Sequence, residues 1–462
     1  MTPPSRPLTD GAFVAQAVER WHELLRGDAG PASAQGLLDG LRATRLTFGD
    51  RPICRVLRPY FLAEGEAKRL NGEAEALMSA LRKVRRKLET DRAWRSLLRL
   101  TEDEELVLAA DRQPFEPDQI ARLDGFLVRD GAYRVIEYNA ESPGGIAFGD
   151  TLCSIFRGLP VLQAFAREYA LRSVDGLDLT LRQLVAAHRA RVGPAASPNP
   201  NIAVVDRRSA PTAREFEICA ESFTYRGCPS RVVEPDELRF ENGRLVAGDF
   251  VVDVVYKRVL VGDLIRTYGT LHPLFQALRA GAVTVASGFG VHLLYRKELF
   301  AFLHDDRIKA ELDARERSAV DRCVPWTRLV ADVEVRDGDR AARLLDLVRR
   351  RKDRLVLKPT AEYGGKGVTL GWLVDDAAWE KALQDALDEP HVVQERVELG
   401  RESFPLMIDG KLTFAPFYAD VNPYIWGGVR SEGFGARLAS GELLNVTAGG
   451  GSAVPVFILD RP

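Results

Sequence analysis

Apolar and polar positions follow a helical pattern in the first part of the chain, over residues 1–110. Leu77, Leu81, Val84 and Leu88 are four, three and four positions apart, which predicts one apolar stripe along an α-helix. The same stretch carries a basic cluster, Arg82, Lys83, Arg85, Arg86 and Lys87. This cluster indicates a solvated helix face, with a docking face for an acidic partner such as tRNA or a carrier protein as the less favoured alternative.

The pattern changes to strand-like alternation on both sides of Asp130-Gly131, which two apolar runs flank. Asp-Gly in that setting indicates a two-residue type I′ turn and therefore a β-hairpin. The turn sets the expected register, beginning with Arg129 opposite Ala132. Apolar residues near the turn are expected on the face that carries the hairpin's acids, which favours burial of that face: Phe126, Val128, Tyr133 and Val135.

Four polar residues are predicted to project from one face of this hairpin, because the register places Asp124 opposite Glu137 and Arg122 opposite Asn139. Directly opposed residues have Cβ atoms about 4.5–5.5 Å apart, so two carboxylates repel each other there. A divalent cation removes the conflict, since Asp, Glu and Asn oxygens are hard ligands suited to Mg²⁺. The hairpin therefore indicates a metal site, with Arg122 beside it to hold a phosphate oxygen. An exposed hairpin with water between the acids is the alternative.

The hairpin runs directly into a turn-rich loop, residues 140–145, with the sequence Ala-Glu-Ser-Pro-Gly-Gly. Such a loop can bring backbone N–H groups close to a ligand, or it can be only a connection. Because the loop follows the predicted metal site, its residues Ser142, Gly144 and Gly145 are candidates for contacting a substrate.

Strand and helix patterns alternate in the next part of the chain, which indicates a small α/β unit. Residues 151–192 are predicted to be helical, and the segment 193–200 is a linker or domain boundary because it contains three prolines. No GxGxxG motif follows a predicted strand, so a dinucleotide-binding fold is not supported. A further helix is predicted to begin near Lys297, whose side chain could reach an anion at the helix N-terminus or simply be exposed. The alternating segments are strand 202–205, helix 212–223, strand 231–234 and strand 250–258.

A glycine-rich stretch, Gly364-Gly365-Lys366-Gly367, lies between two apolar runs. It is not a Walker A loop, because no Ser or Thr follows the lysine and residues 368–374 are predicted to form a strand rather than a helix. The stretch instead indicates a hairpin tip that folds over a nucleotide triphosphate, with backbone N–H groups on the phosphates. Lys358 and Lys366 would neutralise phosphate charge, and Glu362 lies between them. A purely structural glycine turn is the less favoured alternative.

The remaining polar candidates lie in strand-like segments towards the C-terminus. Residues 391–397 are predicted to form a strand on which Gln394, Glu395 and the backbone up to Val397 could bind a nucleotide base, or to be a plain core strand.

Further along, Asp420 and Asn422 form a rival acid–amide pair for the metal. They rank below the hairpin because no second carboxylate is predicted to face them. Arg437 could stabilise a transferred phosphate, and the glycine run at residues 445–451 could line the substrate, although both could be surface features.

Composition narrows the class of protein without identifying a reaction. The length of 462 residues allows two or three domains, and the net charge of −2 gives no general attraction to nucleic acid or membranes. No signal peptide and no apolar run of about 20 residues is seen, so no membrane anchoring is expected. The five scattered cysteines favour a reducing, cytoplasmic location over a disulfide framework or zinc site.

Taken in order, these motifs resemble those of circularly permuted ATP-grasp proteins of the glutathionylspermidine synthase-like group. The resemblance runs from about residue 100 to the C-terminus. It is carried by the Asp…Glu-x-Asn hairpin, the lysine at 297, the Tyr-Gly-Gly-Lys-Gly hairpin, the Val-Gln-Glu-Arg run and the Asn-Val-Thr-Ala-Gly-Gly-Gly segment. In that group the metal-binding segment precedes the pre-ATP-grasp unit, as it does in this order of motifs.

The resemblance implies a fold of the α/β (α+β) class, an ATP-grasp with circularly permuted segment order. Its expected parts are a helical N-terminal region (1–115), a metal-site hairpin with a helical segment (116–195), a pre-ATP-grasp α/β unit (196–295) and an ATP-grasp nucleotide-binding region (296–462). The helical N-terminal region replaces the amidase domain of glutathionylspermidine synthases, so glutathionylspermidine itself is not the expected product.

The resemblance also implies ATP and Mg²⁺ as cofactors. The metal would be held by the hairpin's oxygen ligands, Asp124, Glu137 and Asn139. Arg122 would lie at the transferred phosphate, and Lys297 and Lys358 would contact the ATP phosphates. The loop 364–367 would close over these phosphates, and the base would lie near residues 394–397.

The expected reaction is ATP-dependent joining of a small-molecule or peptide carboxylate to an amine, through an acyl phosphate and with release of ADP. Acyl-phosphate formation is catalysed mainly by positioning and charge stabilisation. A small-molecule kinase and a non-catalytic ATP-binding regulatory protein are the alternatives.

Overall fold

The computed structural model describes residues 9–48, 51–128, 131–337, 340–362, 365–441 and 451–461. Its α-helices are α1 (Asp10–Arg26), α2 (Ala29–Thr44), α3 (Glu64–Thr90), α4 (Arg92–Ser96), α5 (Glu102–Ala110), α6 (Ile146–Arg157), α7 (Pro160–Phe165), α8 (Gly176–Val192), α9 (Ala213–Tyr225), α10 (Val261–Tyr268), α11 (Pro273–Arg279), α12 (Glu298–Leu303), α13 (Asp306–Glu311), α14 (Ala314–Cys323), α15 (Leu344–Arg350) and α16 (Asp376–Asp388).

The strands are β1 (Thr47–Phe48), β2 (Arg51–Pro52), β3 (Tyr60–Ala63), β4 (Ile120–Leu127), β5 (Tyr133–Asn139), β6 (Leu171–Arg172), β7 (Ile202–Val205), β8 (Ser230–Val233), β9 (Leu238–Glu241), β10 (Arg244–Ala247), β11 (Phe250–Val251), β12 (Val254–Lys257), β13 (Thr284–Ala286), β14 (Thr327–Leu329), β15 (Glu334–Asp337), β16 (Arg340–Arg343), β17 (Leu355–Pro359), β18 (Thr369–Leu370), β19 (His391–Glu395), β20 (Glu402–Ile408), β21 (Lys411–Trp426), β22 (Arg430–Ala439), β23 (Ser452–Val454) and β24 (Val456–Leu459). Among these elements, no helix is long and apolar enough to cross a membrane.

The largest sheet is antiparallel and carries the predicted metal hairpin near one edge. Its strand order is β23-β22-β21-β4-β5, and β20 pairs with β21. Arg122 on β4 is directly opposite Tyr424 on β21, and Asp420 on β21 is directly opposite Arg437 on β22. Directly opposed residues project to the same side of a sheet, so this pairing brings residues about 300 positions apart in sequence to one face.

The strands of two smaller sheets lie between β5 and β20 of the large sheet in sequence. The four strands β13-β12-β7-β8 are all parallel, as expected for the α/β unit. The strands β14-β19-β17-β18 are antiparallel and contain the lysine and glutamine of the predicted nucleotide site. Each sheet has its own apolar core, and the mixed architecture confirms the predicted α/β class.

The N-terminal helices pack into the same core as the large sheet. The predicted apolar stripe Leu77, Leu81, Val84 and Leu88 lies on α3 and is buried. Four residues of the basic cluster contact partners within the chain: Arg82 donates to the carbonyl of Gly428, Lys83 pairs with Glu316, Arg85 pairs with Glu116, and Lys87 lies 3.6 Å from Asp91. These contacts reduce the basic surface available to an acidic partner. The division into four parts stays a prediction.

Near its turn, the hairpin is one residue out of the predicted register. Leu127 pairs with Tyr133, whereas a two-residue turn would place it opposite residue 134. A β-bulge then inserts Ile136, because Gly125 pairs with Val135 while the neighbouring Asp124 pairs with Glu137. The predicted pairs at the site, Asp124 with Glu137 and Arg122 with Asn139, are correct because the bulge offsets the one-residue difference near the turn. Arg129 and Asp130 of the predicted turn lie outside the described residues.

The bulge also changes which apolar residues share the face of the acids. Tyr133 and Val135 are opposite Leu127 and Gly125, so they project to the other side of the sheet from Asp124 and are buried there. The prediction that they share the acid face is wrong, because the bulge breaks the strict alternation on β5.

The glycine-rich hairpin is shorter than predicted. Leu370 on β18 pairs with Val356 on β17, so the two apolar runs do form a hairpin. Residues 368–374 are not one strand, because β18 contains only two residues and a 3₁₀ turn follows at Gly371–Leu373. Gly371 meets the backbone of Lys352 so closely that a Cβ would lie 2.0 Å from its carbonyl oxygen, and this approach ends the strand.

Candidate active site

One cleft brings together most of the predicted site residues. A cavity of about 270 Å³ lies between the face of β4 and β5 and the sheet that contains β17 and β19. The predicted residues that line it are Arg122, Asp124, Glu137, Asn139, Lys297, Lys358, Glu362, Gly365, Lys366, Gln394, Glu395, Val397 and Arg437. Ser142, Gly144, Gly145 and Gly367 lie outside it, and Gly364 is outside the described residues.

Lys358 is placed in the cleft by β17 and has only neutral partners among the described residues. Its Nζ donates to Oε1 of Gln394 at 2.7 Å and to the carbonyl of Ile136 at 3.3 Å. The pKa of Lys358 is lowered to about 8, mainly by burial; Glu137 opposes this shift, and nearby Lys297 contributes to it. A buried ammonium without a directly bound anion is costly, so the surroundings of Lys358 suit an incoming anion.

Lys297 lies at the start of α12, as the sequence predicted. Its Nζ is 3.2 Å from Oε1 of Glu137 and also donates to the carbonyl of Glu362. Its backbone N–H donates to the carbonyl of Thr360. Lys297 therefore joins the hairpin, the start of α12 and the segment that follows β17, and the two lysines lie on the same side of the cleft.

The nucleotide-side residues of β19 are positioned by strand pairing. Gln394 is opposite Val356 of β17, and its Nε2 donates to the hydroxyl of Thr327 at 3.1 Å. Glu395 and Val397 follow at the end of this strand and line the cleft. Of the glycine stretch, Gly367 has a positive φ of 68°, and a Cβ there would lie 2.6 Å from Pro359, so this position requires glycine.

The hairpin face forms an alternating cluster of two acids and two arginines. Arg122 Nε donates to Oδ1 of Asp124 at 2.6 Å, and Arg122 Nη2 donates to Oδ2 at 2.9 Å. Arg437 Nη2 donates to Oδ2 of the same carboxylate at 2.7 Å, and Arg437 Nε donates to Oδ2 of Asp420 at 2.8 Å. Burial opposes the ionisation of Asp124, but the two guanidinium groups outweigh it and hold its pKa below the usual range.

Asp420 and Asn422 rank below the hairpin as predicted metal ligands because no second carboxylate is predicted to face them, and this expectation is wrong. A second carboxylate does lie near them, because Arg437 bridges Asp124 and Asp420. Asn422 is used internally: its Nδ2 donates to Asp420 at 2.9 Å, and its Oδ1 accepts from the backbone of Gly125 at 3.1 Å. Burial raises the pKa of the Asp420 carboxyl.

The donor set of the hairpin fits Mg²⁺ in chemistry, although its carboxylates are paired with cations. Asp124 bonds to arginines and Glu137 to Lys297, so a metal would replace these partners. Asn139 has a buried Nδ2 without a hydrogen-bond partner among the described residues, so no such bond fixes the orientation of its amide. No group of three His, Cys, Asp or Glu side chains within the described ranges could hold a metal by itself. A metal bound at the hairpin would therefore also need the amide oxygen of Asn139 as a ligand.

The loop at residues 140–145 is held by buried ion pairs that the sequence did not reveal. Glu141 is paired with Lys257, and both side chains are almost fully buried. Arg258 donates to the carbonyl of Pro143 at 2.8 Å and lies 3.5 Å from Glu215. Ser142 donates to the carbonyl of Lys257 at 3.0 Å, so its hydroxyl supports the loop, and the residue does not line the cleft. The sequence signal for these ion pairs was the pair of basic residues, Lys257 and Arg258, at the end of the buried strand β12.

The glycines of this loop border a second cavity. Gly144 and Gly145 line a space of about 210 Å³ on the other side of Arg122, and both Arg122 and Arg437 line this cavity as well as the cleft. Arg122 Nη1 also donates to the carbonyl of Gly144. The two arginines thus form the wall between the cleft and the second cavity.

Comparison with known proteins gives relatives in sequence. The protein named "Uncharacterized protein Mb2434c" of Mycobacterium bovis is 26% identical over 363 residues, which cover 71% of this chain and 58% of that protein. The protein named "Putative glutamate--cysteine ligase 2-2" of Frankia casuarinae is 26% identical over 355 residues, which cover 72% of this chain and 38% of that protein. The chain therefore spans less than two thirds of the length of these relatives.

A solved structure shares the fold. The apo structure of a glutathione synthetase-like effector, GSS30, from Globodera pallida superimposes with a TM-score of 0.58 over 98% of this chain and 99% of that one, at 12% identity. Residues 116–394, which include the hairpin, the α/β unit and the strands of the cleft, match the family described as a circularly permuted ATP-grasp. This match covers more than half of the chain, and the chain belongs to that circularly permuted ATP-grasp family.

Proposed function

We propose that this protein is an ATP-dependent ligase that joins a carboxylate to an amine through an acyl phosphate. The family, the paired lysines of the cleft and the arginines at its inner wall support this proposal. The Frankia relative is named as a ligase, which agrees with the same class of reaction. Membership of the glutathionylspermidine synthase-like group and a cytoplasmic location stay predictions.

The observation that carries the proposal is the environment of Lys358. The cleft contains a partly buried ammonium whose hydrogen-bond partners among the described residues are all neutral, and Lys297 and Arg437 line the same space. The three phosphates of ATP supply the negative charge that such an arrangement lacks. Gln394 and Glu395 at the end of β19 would then face the base.

The reaction has two steps with separate demands. A carboxylate oxygen attacks the γ-phosphorus, the bond from the γ-phosphorus to the β–γ bridging oxygen breaks, and ADP leaves. The amine then attacks the acyl carbon, and phosphate leaves with the electrons of the C–O bond while the nitrogen loses a proton. Arg122 and Arg437 are placed between the cleft and the second cavity, so they would orient both the carboxylate and the transferred phosphoryl group.

Asp124, Glu137 and Asn139 would hold Mg²⁺. When bound, the metal neutralises charge on the phosphates and aligns them for transfer. Arg122 and Lys297 now compensate the charges of Asp124 and Glu137, and they would no longer be needed for this if these carboxylates held a metal. The side chains of Arg122 and Lys297 would then be released towards the phosphates and the substrate carboxylate.

Product analysis tests the proposal directly. The protein is incubated with Mg-ATP and pools of carboxylic acids, amino acids, small peptides and polyamines, and nucleotides and condensed products are measured by chromatography and mass spectrometry. We expect ADP formation that depends on both an acid and an amine, with a product one water lighter than the two combined. ADP that needs only an acceptor and yields a stable phosphorylated product would establish a kinase, and AMP would show an adenylating mechanism; either result would overturn the proposal.

A further inference from the structure

The second cavity has the features of a ligand site that is separate from the nucleotide cleft. Its volume is about 210 Å³, and an apolar cavity of about 150 Å³ is enough to bind benzene. The residues that dominate its wall are apolar or aromatic: Ile146, Phe148, Leu152, Trp426, Phe434 and Ile458. The cavity is therefore large enough for an apolar body somewhat bigger than one benzene ring.

A glycine in the middle of a helix keeps part of this cavity open. Gly149 lies within α6 and lines the cavity, and a Cβ built on it meets no atom within 4 Å. Glycine inside a helix is less favourable than alanine. Neither close packing nor a positive φ requires glycine at this position. The effect of having glycine here is that the space beside the helix stays open.

The polar end of the cavity is formed by Arg122 and Tyr424, which are direct neighbours across β4 and β21. Arg122 uses three of its five N–H donors on partners within the described chain. The hydroxyl of Tyr424 has no hydrogen-bond partner among the described residues, although the residue is only 6% exposed. It lies between Gly145 and Gly435, whose Cβ atoms, if present, would be 3.6 Å and 2.9 Å from it.

The acids that line the cavity are already satisfied within the protein. Asp150 accepts hydrogen bonds from the backbone of Gly176 at 3.2 Å and Leu177 at 2.7 Å. Glu432 is paired with Arg430 at 2.7 Å. The guanidinium groups of Arg122 and Arg437 and the hydroxyl of Tyr424 therefore provide donors in this cavity, which suits a carboxylate.

We propose that this cavity binds a carboxylic acid with a compact apolar or aromatic body, with its carboxylate on Arg122 and Tyr424. If the ligase function proposed above is correct, this acid is the substrate that becomes the acyl phosphate, because Arg122 also borders the nucleotide cleft. The apolar part of the wall, away from Arg122 and Arg437, predicts poor binding of glutamate and other polar dicarboxylic acids, since a second carboxylate placed there would be desolvated without a partner.

Binding is measured by isothermal titration calorimetry on the full chain without nucleotide. The ligands are 3-phenylpropionate, L-phenylalanine, 3-phenylpropylamine and L-glutamate. We expect at least one of the two aromatic acids to bind more than about tenfold tighter than both the amine and glutamate, because only these acids match both ends of the cavity. The comparison between the two aromatic acids shows whether the ligand carries an α-ammonium group.

Two variants connect this binding to the cavity. Gly149→Leu fills the open space and is expected to weaken binding of the aromatic acid by more than about tenfold. Gly72→Leu is the matched control, because Gly72 also lies within a helix, has open space at its Cβ and does not line the cavity. Tyr424→Phe keeps the ring but removes the hydroxyl, and we expect a loss of about tenfold for the acids only.

The proposal is overturned if neither aromatic acid binds, if the amine or glutamate binds more tightly, or if Gly149→Leu binds the acid as the unaltered protein does. Its failure can be distinguished from failure of the ligase function. ADP formation with glutamate that persists in Gly149→Leu would reject the cavity assignment and keep the ligase. Binding of the aromatic acid without any ATP turnover would reject the ligase and keep the cavity.

Discussion

At the scale of single residues, the charges of the cleft are arranged so that a ligand can exchange with internal partners. Asp124 is held by two arginines and Glu137 by Lys297, while Lys358 has only neutral partners in the part of the chain described. A phosphate–metal complex supplies an anion to the lysines and a cation to the carboxylates in one event. Binding would therefore replace several internal pairs without leaving a buried charge uncompensated.

The pKa of Lys358 predicts how ATP binding depends on pH. In the free protein this pKa is about 8, and a bound phosphate raises it because the anion favours the ammonium form. Below about pH 7 the lysine is charged in both states, so it adds no pH dependence. Above about pH 8, binding requires proton uptake, and we expect affinity to fall by up to about tenfold per pH unit until the pKa of the bound state is reached.

This dependence is measured by titrating nucleotide between pH 6.5 and 9.5. Lys358→Met should weaken ATP binding by about tenfold or more at pH 7, which corresponds to losing a charge-assisted hydrogen bond, and should remove this part of the pH dependence. Lys381→Met is the control, because Lys381 is an exposed residue paired with Asp385 on α16. An unchanged pH profile in Lys358→Met would contradict the assignment.

Substitution of Glu137 tests the metal site. Glu137→Ala removes a proposed Mg²⁺ ligand, and we expect a loss of ATP turnover of about a hundredfold or more, with an unchanged circular dichroism spectrum because the side chain is partly exposed. Glu380→Ala, which breaks only an exposed pair with Arg349, should retain full turnover. Normal turnover in Glu137→Ala would favour Asp420 and Asn422 as the metal ligands.

At the scale of elements, the sequence predicted the hairpin and its polar pairs but not the geometry that holds them. Alternation and Asp-Gly led to the correct pairing of Asp124 with Glu137, but only because the bulge at Ile136 offsets a one-residue difference in register near the turn. A bulge leaves no periodic signal in one strand, because it depends on the partner strand. Similarly, the position of Tyr424 beside Arg122 depends on a strand pairing across about 300 residues, which local patterns do not contain.

The loop at residues 140–145 is positioned by a helix cap that comes from another element. Glu215 on α9 accepts hydrogen bonds from the backbone of Gly145 at 2.7 Å and Ala147 at 3.2 Å, at the start of α6. It also lies 3.5 Å from the buried guanidinium of Arg258. Both the loop and the first turn of α6 therefore depend on one buried carboxylate.

Glu215→Ala is expected to destabilise the protein by about 3–5 kcal/mol, because it leaves the buried Arg258 charge unpaired. Glu217→Ala is a matched control on the same helix, since Glu217 forms exposed pairs with Arg45 and Arg214, and it should cost less than about 1 kcal/mol. Urea denaturation followed by circular dichroism gives both free energies of unfolding. Equal and small losses would show that Arg258 is compensated by other groups.

At the scale of the whole molecule, the cleft lies where two separately packed regions meet. The hairpin belongs to the large core shared with the N-terminal helices, whereas β17 and β19 pack with α15 and α16 around a smaller core. Lys358 on β17 contacts the carbonyl of Ile136 on β5, and Lys297 contacts Glu137. The sequence motifs predicted that these residues share one site. The contacts between the two regions could not be predicted from the sequence and are seen only in the structure.

This arrangement predicts that nucleotide binding stabilises both regions together. Mg-ATP at about one hundred times its dissociation constant should raise the free energy of unfolding by about 2.7 kcal/mol. Hydrogen exchange followed by mass spectrometry should show slower exchange in β5 and in β17 and β19, because a ligand between two regions restricts their separation. Lys358→Met measured at the same Mg-ATP concentration should show a smaller effect in both. Protection confined to β17 and β19 would show that the nucleotide binds without engaging the hairpin, and it would contradict the placement of the phosphates beside Asp124 and Glu137.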